Sequence, residues 1–137
     1  MVTAAVTAIV TSEPLDPAAL EQPCAQSGAV VTFVGRVRDH DGGRSVVSLE
    51  YSAHPSAPEV LRQIADEVAP DVLSLAVAHR TGALAIGDVA LVAVVASAHR
   101  GEAFAQCSRL VEAVKHRLPM WKLQHFADGT QEWVGSC

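Results

Sequence analysis

Lysine is nearly absent from this chain: 137 residues contain two, Lys115 and Lys122, among ten cations set against fifteen acids, for a formal charge of −5. A globally acidic protein does not hold a nucleic-acid backbone by bulk charge, which excludes general nucleic-acid binding. Aromatic residues make up 4%, so the core is built from Ala and Val, and each ring (Phe33, Tyr51, Phe104, Trp121, Phe126, Trp133) is worth locating. Long apolar runs are lacking too. The longest, residues 89–98, lies between Asp88 and His99 and is too short to cross a bilayer, so no membrane span is expected. The three cysteines, Cys24, Cys107 and Cys137, form no CxxC pair. They are odd in number and follow no signal peptide, which suits reduced thiols in a cytoplasm. GxGxxG, P-loop, GxSxG and HExxH signatures are all missing. Six histidines have no paired ligand spacing and no cysteine pair beside them, so no metal site is expected.

What is present is ample apolar material, half of the residues, in a chain of single-domain size. The expectation is one domain over residues 1–137 with one core and no interdomain cleft. Charge is distributed unevenly. Residues 97–122 carry Arg100, Arg109, Lys115, Arg117 and Lys122 against Glu102 and Glu112, five minus two or +3; the remainder holds five arginines against thirteen acids, or −8. Both lysines fall inside this basic island.

Hydrophobic patterning predicts strands over 2–10, 28–37, 46–53, 72–79 and 88–98, and a hairpin of 120–127 with 131–134 around Asp128-Gly129. Residues 46–53 read as the partner of 28–37 across a long, mobile, polar loop, DHDGGR. Asp16 followed by Pro17 starts a short helix that Pro23 breaks. Spacing of three and four among Val60, Leu61, Ile64, Ala65 and Val68 predicts an amphipathic helix over 56–68. A longer helix is expected from a Ser97 cap to Arg117, with Phe104, Cys107, Leu110, Val111, Val114 and Leu118 as its apolar stripe and Pro119 as its stop. The order gives an α+β domain with a mostly antiparallel sheet. The string AHR occurs at 78–80 and again at 98–100, each time at a strand end.

Two constellations bear chemistry. The unpaired N–H groups and positive dipole at the start of the long helix favour an anion, and His99 and Arg100 add donors, so a phosphate fits there. The plainer alternative pairs Arg100 with Glu102 and leaves His99 as a strand-end residue. Lys115 lies about 20° from Phe104 on the helical wheel, bordering the apolar stripe. Partial desolvation there makes a lysine a usable acid, base or nucleophile, while a snorkelling side chain is the alternative. Lys122 lies on the following strand and can converge with Lys115 on one pocket. Arg36 and Arg38 alternate with Val37 and so share a side if the strand continues through them, either beneath a ligand-covering loop 39–43 or as a solvated strand end. Trp121 and Trp133 read as core or interface residues.

The segments GAVVTFVGRVRD (28–39), LEYSAHPSA (49–57), HRTGALAIGD (79–88), SAHRGEAF (97–104) and VKHRLPMWK (114–122) resemble, in order and spacing, the large catalytic subunit of molybdopterin synthase, the MoaE family. The resemblance implies an α/β-hammerhead-like fold and a cytoplasmic sulfurtransferase that installs the two dithiolene sulfurs converting cyclic pyranopterin monophosphate to molybdopterin. It implies as partner a small ubiquitin-like subunit whose C-terminal Gly-Gly carries a thiocarboxylate. Two large subunits would form a central homodimer within a heterotetramer, with no cofactor and no metal. By motif, Lys115 and Lys122 are the catalytic lysines, and Arg38, His99 and Arg100 bind the substrate phosphate and pterin. Gln124 stands where many members have a glutamate, which puts any role for a carboxylate at that position in doubt. That departure keeps open a module that docks a Gly-Gly tail without chemistry; the anion site alone also allows another enzyme of small phosphorylated metabolites.

Overall fold

The computed structural model describes residues 4–22 and 24–135. Pro23, Cys137 and the first residues of the expected 2–10 strand lie outside them. Nine strands and two α-helices are formed among the described residues: β1 (Ala5–Thr11), β2 (Ala29–Arg36), β3 (His40–Asp41), β4 (Arg44–Ala53), α1 (Ala57–Val68), β5 (Ser74–Arg80), β6 (Gly82–Ala85), β7 (Val89–Ser97), α2 (Arg100–Arg117), β8 (Met120–Phe126) and β9 (Gln131–Gly135). The expected short helix is a 3₁₀ turn, Pro17–Leu20, in which Asp16 accepts from the Ala18 N–H.

One sheet has the order β1-β5-β7-β2, and a second runs β3-β4-β8-β9 with β6 also on β4. Only β1 with β5 is parallel, so the α+β, mostly antiparallel expectation holds. Two expectations fail together. β4 does not pair with β2: β2 pairs with β7, while β4 pairs with β6 and β8. The segment between them is no long loop. His40 pairs with Ser45 and Asp41 with Arg44 across Gly42-Gly43, whose φ values of 57° and 78° suit a two-residue hairpin turn and favour glycine. Residues 82–85, outside the expected strands, form β6 because β4 offers them an edge.

Both helices lie against the β1-β5-β7-β2 sheet. From α1 come Leu61, Ile64 and Val68, from β5 Leu75 and Val77, from β7 Leu91, Ala93 and Val95, and from α2 Cys107, Leu110, Val111 and Val114, in one buried cluster. Each large side chain fully removed from water here contributes on the order of 1.5–3 kcal/mol. β5 and β7 are buried along both faces, since Ala76, Val92 and Val94 pack on the other side against Leu15 and Leu20. That is why they read as continuous apolar runs rather than alternating ones. Val37, Leu49, Leu84 and Ala90 form a smaller core, and Tyr51 packs against it and the main one.

The long helix departs from expectation at its start. Ser97 remains in β7, held by its pairing with Ala29, so His99 is the N-cap residue and makes no side-chain cap. Phe104 leaves the apolar stripe and is 63% exposed; Ala103 turns inward in its place. Among the described residues, no helix is long and apolar enough to cross a membrane.

Candidate active site

The C-terminal turn of α2, the end of β5 and the middle of β4 and β8 meet at one end of the molecule. In β5, Leu75 and Val77 face the helices, so the alternation of a strand turns His79 the same way. There it is 3% exposed. Its Nδ1 lies 2.9 Å from the Arg80 carbonyl oxygen, and the Tyr51 ring meets it edge-on with centroids 4.9 Å apart. Tyr51 on β4 is the register partner of Lys122 on β8. Lys115, half-buried in the last turn of α2, is near enough for its charge to act on the His79 ring. The two lysines therefore approach the same ring pair, one from a helix and one from a sheet.

Lys122 also faces a second group. Gln124, 1% exposed, donates from Nε2 to Asp41 Oδ2 at 2.9 Å, and Arg38 stands 3.8 Å from the same carboxylate. The Gln124 amide bond above all, with the charges of Lys122, Arg38 and His40, holds the Asp41 carboxyl below its usual range. A glutamate at 124 could not donate this bond when ionised. The carboxylate near Lys122 is thus supplied by Asp41 from β3. β2 ends at Arg36, so the strand does not continue through Arg38; both arginines are exposed, on either side of buried Val37. Beside Lys115, residues His116 to Trp121 and Gly135 line an open groove of about 360 Å³, with Trp121 43% exposed.

His99 and Arg100 are not part of this assembly. They are exposed at the other end of α2, and fifteen residues at 1.5 Å each put Arg100 about 22 Å along the axis from Lys115. The basic island is also divided by tertiary pairing. Arg109 binds Asp71 at 2.9 Å and Arg117 binds Glu67 at 2.7 Å, so both guanidinium groups are engaged with carboxylates, although Arg117 also lines the groove.

Sequence reasoning passed over His79, Tyr51 and Asp41. The first AHR string was the available signal for His79: of the two repeats it is the one beside the lysines. Burial is the main force holding the His79 ring neutral; the Arg80 carbonyl opposes it and the Lys115 charge adds to it, and the pKa falls from 6.5 to about 4. The unfolded ring takes up a proton near pH 6.5, whereas the folded one resists until about pH 4. Stability is therefore complete above pH 6.5 and falls as pH drops through that window, by on the order of 3 kcal/mol for this group. Urea unfolding at pH 7 and pH 4.5 should show this loss in the wild type and a smaller one in His79→Gln; equal losses would refute it.

The family model described as MoaE protein matches residues 10–117. The molybdopterin synthase catalytic subunit of Nostoc sp. is 40% identical over 117 residues, covering 81% of this chain and 71% of that protein. Molybdopterin synthase catalytic subunit 1 of Mycobacterium tuberculosis is 41% identical over 115 residues, covering 80% and 76%. Among solved structures, molybdopterin synthase from Staphylococcus aureus superposes with a TM-score of 0.80 at 33% identity, covering 94% of this chain and 96% of that one.

Proposed function

The chain belongs to the MoaE family, and from that premise we propose how its residues perform the family's chemistry. It is the catalytic subunit of molybdopterin synthase, acting in molybdenum cofactor biosynthesis. Its reaction converts cyclic pyranopterin monophosphate to molybdopterin, with each of the two sulfurs delivered by the C-terminal Gly-Gly thiocarboxylate of a small ubiquitin-like subunit. The whole chain serves as one domain, in the cytoplasm.

The observation that carries this reading is the convergence of the only two lysines of the sequence on the Tyr51–His79 pair, beside an open groove. A carrier tail without side chains at its last two residues suits such a groove. Lys115 protonates or polarises the oxygen that leaves the substrate or the acyl group of the donor. Lys122 stabilises negative charge as it develops, and Asp41 and Gln124 fix its surroundings. Arg38 binds the substrate at this end of the molecule.

His99 and Arg100 act on the same phosphate only from another copy of the chain, because about 22 Å of helix separates them from Lys115 in one protomer. The homodimer is then part of the site: one copy supplies Arg38, Lys115 and Lys122, and its mate supplies the helix N-terminus with His99 and Arg100. The test is reconstitution from purified chain, cyclic pyranopterin monophosphate and a thiocarboxylated carrier, with molybdopterin measured by fluorescence of its oxidised product. Formation of two dithiolene sulfurs per substrate is expected. Carrier binding without product would leave a docking module instead.

A further inference from the structure

We propose that the outer edge of β2, with the face of α2 above it, is the surface through which two copies of this chain pair about a two-fold axis at Thr32. The inference rests on the reading that one copy supplies Lys115 and its mate Arg100, and it names the contact that brings them together.

β2 ends the sheet order β1-β5-β7-β2 and, among the described residues, pairs with β7 alone. Before Arg36 its sequence, AVVTFVG, holds no charge and no proline, two devices that keep an edge strand from pairing with another chain. Beside this edge Val31, Phe33, Phe104, Ser108, Val111 and Glu112 line an open groove of about 300 Å³. Phe104 is 63% exposed, as is 40% of Val30 on the other face of the strand. Along α2, the positions Arg100, Phe104, Ser108, Val111 and Lys115 fall within about 80° of the helical wheel. The groove-facing row of the helix therefore starts at one residue of the proposed site and finishes at another.

A strand edge is satisfied by another strand, and this one is complementary to itself. Residues directly opposite in an antiparallel pair share a face, so a two-fold axis passes through a residue and not between two. With the axis at Thr32, exposed Val30 meets Val34 of the mate and Val31 meets Phe33. An axis at Phe33 would instead set Val30 against Arg36. Such an axis stands perpendicular to the sheet, so both α2 helices lie on one face, antiparallel, with opposed dipoles. Because α2 packs over β2 and β7 and strands are spaced about 4.8 Å apart, the two helix axes come about 10 Å from each other, the ordinary distance of packed helices. Ser108 is central in the groove, as Thr32 is, so Ser108 meets its own copy and Phe104 lies level with Glu112 of the mate. One turn further on, Arg100 lies level with the mate's His116, beside Lys115. The separation of about 22 Å within a chain thus becomes the width of a helix pair between chains, which both side chains can reach across to one small anion. Glu112 lies one turn from the mate's Arg100 and gives the contact charge complementarity.

Disulfide cross-linking of the full chain tests this, with Cys24→Ser and Cys137→Ser as background. Thr32→Cys faces its own copy at a Cα separation of about 4.5–5.5 Å, which a disulfide accepts. It is expected to give a covalent dimer on mild oxidation, whereas Ile9→Cys, exposed on β1 at the opposite edge of the sheet, should not. The double variant Val30→Lys/Phe104→Glu changes two exposed side chains. By analytical ultracentrifugation its mass should be half that of the wild type, with an unchanged circular dichroism spectrum, and molybdopterin formation should fall about a hundredfold. If that variant misfolds, Thr32→Cys decides alone. A wild-type chain that is monomeric at assay concentration overturns the proposal, as does a dimer that cross-links through Ile9→Cys and not through Thr32→Cys. Mass and cross-linking are read without substrate. A Thr32-linked dimer that makes no product therefore keeps the interface and removes the catalytic reading, while a monomer that makes product does the reverse.

Discussion

Lys115→Ala is expected to lose molybdopterin formation by about 10²- to 10⁴-fold, the range for removal of a positioned general acid, while its Tm stays close to that of the wild type. The separation of the two effects follows from where the side chain lies. The core of α2 is held by Ala103, Cys107, Leu110, Val111 and Val114. Lys115 adds a half-buried stem at the margin of that core, and its truncation removes little buried apolar area. Lys115→Arg should not restore the rate. A guanidinium stays charged throughout the working range and presents a planar fork in place of a compact ammonium, so it can neither give up a proton nor take the same place. The measurement is a single-turnover assay with thiocarboxylated carrier, alongside thermal unfolding of the same preparations. A variant that folds and retains near wild-type turnover would remove Lys115 from the reaction.

Mixing two inactive variants should regenerate activity. In the proposed arrangement, Lys115→Ala and Arg100→Ala each disable one half of a site shared between two copies. If subunits exchange, half of the dimers are mixed, and each mixed dimer has one site with both halves intact and one with neither. Recovery to roughly a quarter of wild-type activity is expected from a symmetric dimer with this arrangement. Both parent variants alone should stay near background. Nothing in a single protomer produces this result, because about 22 Å of α2 stands between the two residues. Lack of recovery under conditions where mixed dimers are demonstrated by mass spectrometry would mean that His99 and Arg100 serve some other purpose, for which the exposed start of α2 remains in place. The control is Lys115→Ala mixed with Lys122→Ala: both changes fall in the same half of the site, so a mixed dimer has no intact site.

Much of this molecule was legible without coordinates. The amphipathic helix of residues 57–68 followed from apolar spacing. The β8–β9 hairpin followed from Asp128-Gly129, where Gly129 has a φ of 85°. The stop at Pro119 and the strands β5 and β7 were equally plain, since each depends on a short window of residues. Strand partnership was less legible. β2 and β4 are neighbours in sequence and both strand-like, yet β2 joins β7 in one sheet and β4 joins β8 in the other. The choice between edges depends on which face each strand can bury, and that is settled by residues roughly fifty to eighty positions away. The tight turn at Gly42-Gly43 was hidden by the same assumption, because the polar stretch was treated as a link between those two strands.

By itself the sequence determined the α+β class and the family, and through its resemblance it supplied the residues proposed to bear the chemistry, Arg38, His99, Arg100, Lys115 and Lys122. Local periodicity is enough for the class, and the order and spacing of five motifs for the family. Tertiary structure decided how those residues are grouped. Ion pairing with Asp71 and Glu67 withdraws Arg109 and Arg117 from the basic island, which a count of charges along the chain cannot reveal. Sheet register sets Tyr51 beside Lys122, and burial at the end of β5 produces a neutral His79 next to Lys115. Antiparallel pairing of β5 with β7 places the two AHR strings at opposite ends of the sheet. Charge composition is a sum over the chain, whereas a site depends on distance and desolvation, and only folding fixes those.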